Sequence, residues 1–526
     1  MHNSGCNKKK FHKKPTQRQL TGLKKQHSRC ILYATLASVG NTSSKRVNKE
    51  RKNLLTMKNF LNFIKERKMW IIEMTVVFAV FAFFLLIFIR NTNSLQPYYD
   101  NIFRRIFAYV GLIAGILPTF YMLYQAILVS FYKPFTRWPE GRELPRCTVI
   151  VPAYNEGEHV ASTIESLLAS DYPMDKLEIL AINDGSKDDT WNWIKFAAEK
   201  SNGVVKAINF TENRGKKQVL HYGFSHAKGE ILVTIDSDSS VYSNTIRNLV
   251  LPFANPQIVA SAGVVRVKNI KDGFIPKILD ICFVFSADFI RSAQSVVGGV
   301  LCPPGAVSAY RKSALYPHLD EWLNQTFMGK PSNIGEDRAL TSILLRDNNM
   351  VVLQRNAVAL TNVPTTYNYL CRTLLRWTRS EVREDIRMLK IFFKKLDPTN
   401  LRLAALRVNI ISNIVGVFVP ALLIPNLLYN LITSYDNFIF ILSQMVVFAW
   451  VWASIPAVLY AQHESPLRAL WSFFYAVFSL FALSWICVYS WLTMDNAKWM
   501  TREKHSPAAE PETEKENSIT MGDRIS

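Results

Sequence analysis

The sequence predicts an α/β domain with a mostly parallel sheet, inserted between two groups of apolar helices. Three patterns carry that expectation. Hydrophobic residues, 49% of the 526, collect in long runs at 69–89, 106–131, 408–431, 438–460 and 470–492. Between the second and third runs, residues 145–365 alternate short β-rich segments with helical ones, and continuous apolar strands alternating with helices specify a sheet covered on both faces. A polar stretch at 366–400, read as amphipathic helix at a membrane surface, links that domain to the last runs.

In chain order, residues 1–68 come first as a basic tail. It holds 18 Lys/Arg against Glu50 and Glu66, a net of +16 out of the chain's +21. Such a tail is expected to be mostly disordered and cytoplasmic, because basic residues before a first span favour that side and attract anionic membrane lipid. No aromatic or motif pattern accompanies these lysines, so nucleic acid is not an expected partner. About 20 apolar residues cross a bilayer core. The run at 69–89 carries one charge, Glu73, and pairs with 106–131 as two expected transmembrane helices over 69–132. A cleaved signal peptide is not expected, since the first run continues well past signal length. The three later runs form an expected bundle over 401–497, followed by a polar tail at 498–526. The expectation is a multi-pass protein of the cell membrane, plasma or inner, with its middle domain in the cytoplasm. Seven cysteines without a CxxC pair and nine scattered histidines give neither a zinc ribbon nor a disulfide framework.

Within the middle domain the expected strands are 148–152 (TVIVP), 177–183 (LEILAIN), 204–210 and 231–235, with helices near 158–170, 188–200 and 216–227. Ligands of such sheets bind beyond the carboxyl ends of the strands. The first strand delivers Tyr154 and Glu156 there, and the second delivers Asp184 with Gly185 for the turn. Gly215, Lys216 and Lys217 open the third helix, where backbone N–H groups and ammonium charge favour phosphate. The fourth strand runs into Asp236 and Asp238. Alternate residues of an extended chain point the same way, so this pair can hold a divalent cation while leaving positions open for phosphate oxygens. A polar loop after a strand is the plainer account of that pair taken alone.

Together these residues resemble the family 2 glycosyltransferases, and among them the membrane-embedded synthases of hyaluronan, chitin oligosaccharides and cellulose. VPAYNE, INDGS, GKK, IDSDS, AQSVVGGVLCPPGAVSAYR (293–311), FMGKPSNIGEDRALT (327–341) and LLRWTRS (374–380) occur in that family's order. The resemblance implies a GT-A-like domain over 145–365 that binds a nucleotide sugar. It implies that Asp184 accepts a hydrogen bond from uracil, that Tyr154 and Glu156 lie at the nucleotide, and that Lys216 sits near the diphosphate. Asp238 with Asp236 would hold Mg²⁺ or Mn²⁺ against that diphosphate. Asp337 of GEDR would be the general base, in preference to Glu336. Arg376, Trp377 and Arg379 would serve phosphate and acceptor, as would Arg502 of WMTR (499–502). One position departs from the family's QxxRW pattern: Thr373 stands where glutamine is usual.

The function so implied is a membrane-bound inverting transferase. It would use a UDP-sugar, chiefly UDP-GlcNAc, to extend a growing glycan acceptor into a β-linked polysaccharide such as hyaluronan or a chitin-like polymer, with translocation across the membrane as a further element. Two other readings stay open at this point. One is single-step transfer of sugar to a lipid carrier, which Thr373 keeps open and which Arg376, Trp377 and the carboxyl-terminal spans oppose. The other is a non-enzymatic membrane scaffold with a basic lipid-binding arm, which the acids at 184, 236, 238 and 337 oppose. Five full spans would put Arg502 outside the cell, so one run, expected to be the proline-containing third, would be interfacial or re-entrant.

Overall fold

A computed structural model describes residues 102–394, 400–433 and 435–496, with parts of 72–83. The tail at 1–68, most of the first expected span and the WMTR segment with Arg502 lie outside the described residues.

Ten strands are present among the described residues: β1 Cys147–Ala153, β2 Leu177–Asp184, β3 Val205–Phe210, β4 Ile231–Ile235, β5 Ser240–Val241, β6 Ile258–Val267, β7 Val307–Arg311, β8 Thr326–Phe327, β9 Lys330–Pro331 and β10 Met350–Thr361. Eight of them form one sheet in the order β3-β2-β1-β4-β7-β6-β10-β5, and β8 and β9 make a separate hairpin. The first four run parallel, with Ile150 of β1 opposite Leu180 of β2 and Thr234 of β4. Strand β7 is antiparallel to both its neighbours, β6 and β10 are parallel, and β5 closes the edge antiparallel. This is the curled, mostly parallel sheet of a GT-A-like fold.

Strand alternation explains why β1, β2 and β4 read as unbroken apolar runs. Ile150, Leu180, Ile182 and Leu232 enter the core on one face of the sheet. Val149, Val151, Ile179, Ala181 and Val233 enter the core on the other. Successive side chains of a strand point to opposite faces, so a sheet packed on both sides needs apolar residues at every position. The helices His159–Leu168, Thr190–Glu199 and Lys216–His226 fall where the sequence pattern puts them, shorter by one to three residues at their ends.

Longer helices flank the sheet domain in sequence and are also inserted within it. Helix Ile102–Val129 contains Pro118. Helix Phe274–Phe285 continues through a π turn, Ser286–Arg291, into Ser292–Val296. Then come Tyr367–Lys394, Leu401–Thr433, Tyr435–His463, and a final stretch from Pro466 to Leu492 interrupted by a second π turn at Ser479–Leu483. Among the described residues, Met445–Gln462 and Pro466–Leu492 are long and apolar enough to cross a membrane. The expected spans at 106–131 and 408–431 fall on the first and fourth of these helices.

Candidate active site

The site grows from the carboxyl ends of β1, β2 and β4. After β1 the chain turns through Asn155, whose φ is +54°. Its N–H donates to Ser186 Oγ at 3.0 Å and its side-chain Oδ1 accepts the Lys187 N–H at 2.8 Å. Thr190 Oγ1 accepts the Glu156 and Gly157 N–H groups, each at 2.8 Å. The Tyr154–Glu156 turn is thereby tied to the loop that follows Asp184.

Asp184 is buried at the end of β2. Its carboxylate accepts the Arg214 N–H at 2.7 Å on one oxygen and the Gly215 N–H at 3.0 Å on the other. Gly185 beside it, at φ +67°, has no room for a side chain, since a Cβ there would meet the Glu212 backbone at 2.5 Å. The acid therefore sets the turn from which the Lys216–His226 helix starts.

The two lysines of that helix part company. Lys216 is ion-paired with Asp236 and lies 3.5 Å from Glu336 Oε1. Burial opposes its charge, but Asp236 and Glu336 outweigh burial and hold the ammonium above its ordinary range. Lys217 turns the other way, donating to the Ser332 carbonyl at 3.0 Å with its ammonium 5.5 Å from the Trp322 ring centre. Burial lowers it to about 8. Of the two, Lys216 makes the ion pairs to the acids.

Asp238 follows β4 and reaches the end of β10, where its Oδ1 accepts hydroxyl donors from Thr361 and Ser239, both at 3.3 Å. Burial first, and the Asp236 charge second, raise its carboxyl above the usual range. A bound cation would offset that cost, and the pair offers only hard oxygen donors, which suit Mg²⁺ or Mn²⁺. Among the described residues no third His, Cys, Asp or Glu joins them in a metal-holding group. The residues fit a cation whose remaining ligands come from phosphate and water.

Asp337 opens the helix Glu336–Arg346 behind Gly335, which is left-handed at φ +71°. Its Oδ2 accepts the Gly305 N–H at 3.1 Å and its Oδ1 accepts the Arg338 N–H at 2.8 Å. Gly305 sits between the two charges of the site, since a Cβ there would lie 3.4 Å from Lys216 Nζ and 3.5 Å from Asp337 Oδ2. Phe224, Tyr310 and Trp322 line the hollow behind the acid. Burial, then the neighbouring Glu336 charge, pushes Asp337 up to about 6, against the Arg338 N–H and the charges of Lys216 and Arg376. Glu336 is buried and committed to Lys216. That difference gives a physical reason to choose the second acid as the base.

A raised carboxyl stays protonated to higher pH, and a general base must be ionised to work. The rate of any transfer that uses Asp337 is therefore expected to be flat above about pH 7 and to fall about tenfold per unit below about pH 6. A profile level from pH 7 down to 5 removes Asp337 as the base.

The later motif residues divide. Arg376 is close enough for its charge to favour ionised Asp337. Trp377 is 40% exposed, with its ring 6.2 Å from that of Phe283. Arg379 is buried and donates through Nε and Nη2 to Thr493 Oγ1 at 3.0 and 2.7 Å, with its guanidinium 5.6 Å from the Tyr489 ring centre. Tyr489 and Thr493 belong to the last helix and the residue after it. Thr373 is buried, and its hydroxyl has no partner among the described residues. Sequence reading passed over Gly305 and Arg338 as site residues, although both stand inside quoted motifs. Their signal was position within a motif, and their roles depend on contacts that motif order does not encode.

Residues 148–318 match the family model described as glycosyl transferase family 2. A hyaluronan synthase of Streptococcus pyogenes is 28% identical over 400 residues, covering 75% of this chain and 91% of that protein. An N-acetylglucosaminyltransferase of Rhizobium meliloti (strain 1021) is 28% identical over 367 residues, covering 69% and 83%. A mannosyltransferase structure from Pyrobaculum calidifontis, in complex with GDP-Man and Mn²⁺, superposes with a TM-score of 0.53 at 20% identity over 69% of this chain and 98% of that one. That last likeness is one of fold.

Proposed function

We propose that this glycosyltransferase, which carries a glycosyl transferase family 2 domain, transfers sugar from a UDP-sugar to a growing glycan at a membrane surface, with inversion at the anomeric carbon. The observation that carries the proposal is the ion-pair chain Asp236–Lys216–Glu336 ending beside Asp337. It joins the phosphate-side motifs of the sheet to the GEDR turn around one small space at Gly305.

In this reading Tyr154, Glu156 and Asp184 receive the nucleotide, and Lys216 leaves Asp236 for the diphosphate when the donor arrives. Asp236 and Asp238 would hold Mg²⁺ or Mn²⁺, and the cation supplies stabilisation of the charge that develops on the departing UDP. Asp337 takes the proton of the acceptor hydroxyl as that oxygen attacks the anomeric carbon. Arg376 keeps Asp337 ionised for that task, and Trp377 offers an exposed flat face to the acceptor sugar. Arg379, expected to serve the phosphates or acceptor, flanks the site through Thr493, and Arg502, expected to do the same, lies outside the described residues. One displacement with no second carboxylate acting as nucleophile gives a β-linked product from an α-linked donor. The named relatives favour N-acetylglucosamine as a donor sugar and a hyaluronan-like or chitin-like product. Thr373 at the usual glutamine position, with its buried hydroxyl unpartnered among the described residues, keeps the lipid-carrier reading open.

The test uses purified protein in detergent or vesicles with Mg²⁺ or Mn²⁺ and UDP-sugars singly and in pairs, reading UDP release and product size. Release with UDP-GlcNAc and long products are expected. No release with any donor overturns the enzyme reading, and a single sugar on lipid overturns the polymer.

Contacts of the last helix support a cytoplasmic catalytic domain reached again by the chain after two crossings. Ala482 accepts a hydrogen bond from the Tyr367 hydroxyl at 2.6 Å, and Thr493 accepts from Arg379. Residues 482–493 therefore run in step with 367–379, a segment carrying Arg372, Arg376 and Arg379, and such charges do not sit at a bilayer centre. Beyond it, Asp495 pairs with Lys330 of the catalytic domain at 2.6 Å. In this reading the fifth run, rather than the third, lies along the interface, and Leu401–Thr433 and Tyr435–His463 are the two crossings, although Pro466–Leu492 is itself long and apolar enough to cross. A cysteine at Asp495, in an otherwise cysteine-free protein, is expected to resist an impermeant maleimide on intact cells and to react in inverted vesicles. Labelling from outside overturns this arrangement.

A further inference from the structure

We propose that Arg338 is a positioning residue that sets the base, Asp337, against the acceptor platform at Trp377. The inference rests on the transferase reading above and deepens it. Arg338 follows the base directly and is buried. Its guanidinium leaves its own helix and forks onto Tyr367–Lys394, with Nη1 3.1 Å from Glu381 Oε1 and Nη2 2.5 Å from Asp385 Oδ1.

The spacing of the partners is what gives the fork its meaning. Glu381 and Asp385 lie four and eight residues beyond Trp377, and positions four apart share one helix face. The fork therefore grips the same stripe that carries Trp377. On the adjacent stripe, Ser380 lies four residues beyond Arg376 and packs against Gly335, where a Cβ would stand 1.5 Å from Ser380 Oγ. The turn bearing the base is held to the helix bearing Arg376 and Trp377 at two points that straddle Asp337.

Stability alone does not account for this arrangement. Arg338 Nε and Asp385 Oδ2 are buried with no hydrogen-bond partner among the described residues. A buried ion pair with unsatisfied atoms is commonly no more stable than apolar packing of the same volume. A planar fork held by two carboxylates does specify one register and one orientation, which a lysine cannot do. A shift of about 1 Å between reacting groups can cost about 10²-fold in rate, so fixing that register is where such a device acts.

The experiment compares Arg338→Lys, Glu381→Gln and Asp337→Asn in the full-length membrane protein, measuring donor binding, sugar transferred, UDP released to water and the pH profile. Arg338→Lys keeps the charge and loses the fork. Its kcat for transfer is expected to fall about 10²-fold, with donor affinity within about twofold of the parent. More UDP should be released per sugar transferred, and the acid limb should stay where the parent has it. Parental transfer, or donor binding lost in proportion to transfer, overturns the proposal. Should Arg338→Lys fail to insert, Glu381→Gln carries the test, because its side chain is 35% exposed and its neutralisation leaves Arg338 paired with Asp385. The same split at smaller amplitude supports positioning, and parental transfer by Glu381→Gln overturns it. An active Asp337→Asn overturns the transferase assignment of the base itself, whereas an inactive one beside parental Arg338→Lys and Glu381→Gln removes only the present inference.

Discussion

Asp337→Asn is expected to abolish sugar transfer while leaving UDP-sugar binding within a few-fold of the parent. The substitution is nearly isosteric, and the amide oxygen can still accept the Gly305 N–H that Asp337 accepts at 3.1 Å. What is lost is the ability to take a proton from the acceptor hydroxyl. A positioned base contributes about 10²–10⁴-fold, and here no nearby acid replaces it, because Glu336 is held by Lys216 at 3.5 Å. The proposed nucleotide side of the site, built on Asp184 and the β1 turn, has its own hydrogen bonds and does not run through Asp337. Donor affinity by calorimetry and transfer by labelled sugar separate the two effects. Transfer within tenfold of the parent assigns the proton to another group, and loss of donor affinity makes Asp337 a structural residue.

Asp238→Asn is expected to fail differently, losing metal-dependent donor binding together with activity. Its carboxyl is raised by burial and by Asp236, so without a cation the site bears a repulsion that neutralisation relieves. The folded protein should therefore melt no lower than the parent. The stabilisation of a departing group by fixed positive charge is worth about 10²–10³-fold where single donors have been removed from other enzymes, and UDP release should fall by at least that much. The metal concentration needed for half-maximal release should rise in Asp236→Asn as well, since a carboxylate of the proposed cation pair is lost while Lys216 keeps Glu336 as a partner. Unchanged metal dependence in both variants would place the cation elsewhere.

Much of this arrangement was legible in the chain because it is local. Strands β1 to β4 and the three helices between them follow from short apolar runs bounded by turns, and each run carries its polar residues at its own carboxyl end. Strands β6, β7 and β10 were not anticipated. Their pairing joins residues such as Ala260, Tyr310 and Val351 across long stretches of chain, and only packing sets such a register. The same limit separates Lys216 from Lys217. Neighbours on a helix point about 100° apart, so one reaches Asp236 and the other the Ser332 carbonyl.

By itself the sequence determined the chemistry on offer: an acid at the end of β2, a basic turn, two acids after β4, the GEDR turn and an RW helix beside apolar runs. It did so because strand ends, turns and helix starts are properties of a few adjacent residues. The tertiary structure decided which of those groups meet. It gave Lys216 to Asp236 and Glu336, left Asp337 facing Gly305, turned Arg379 to Thr493, and locked Arg338 onto the stripe below Trp377. Those outcomes depend on where two helices far apart in the chain come to rest against each other, and only the packed core fixes that distance.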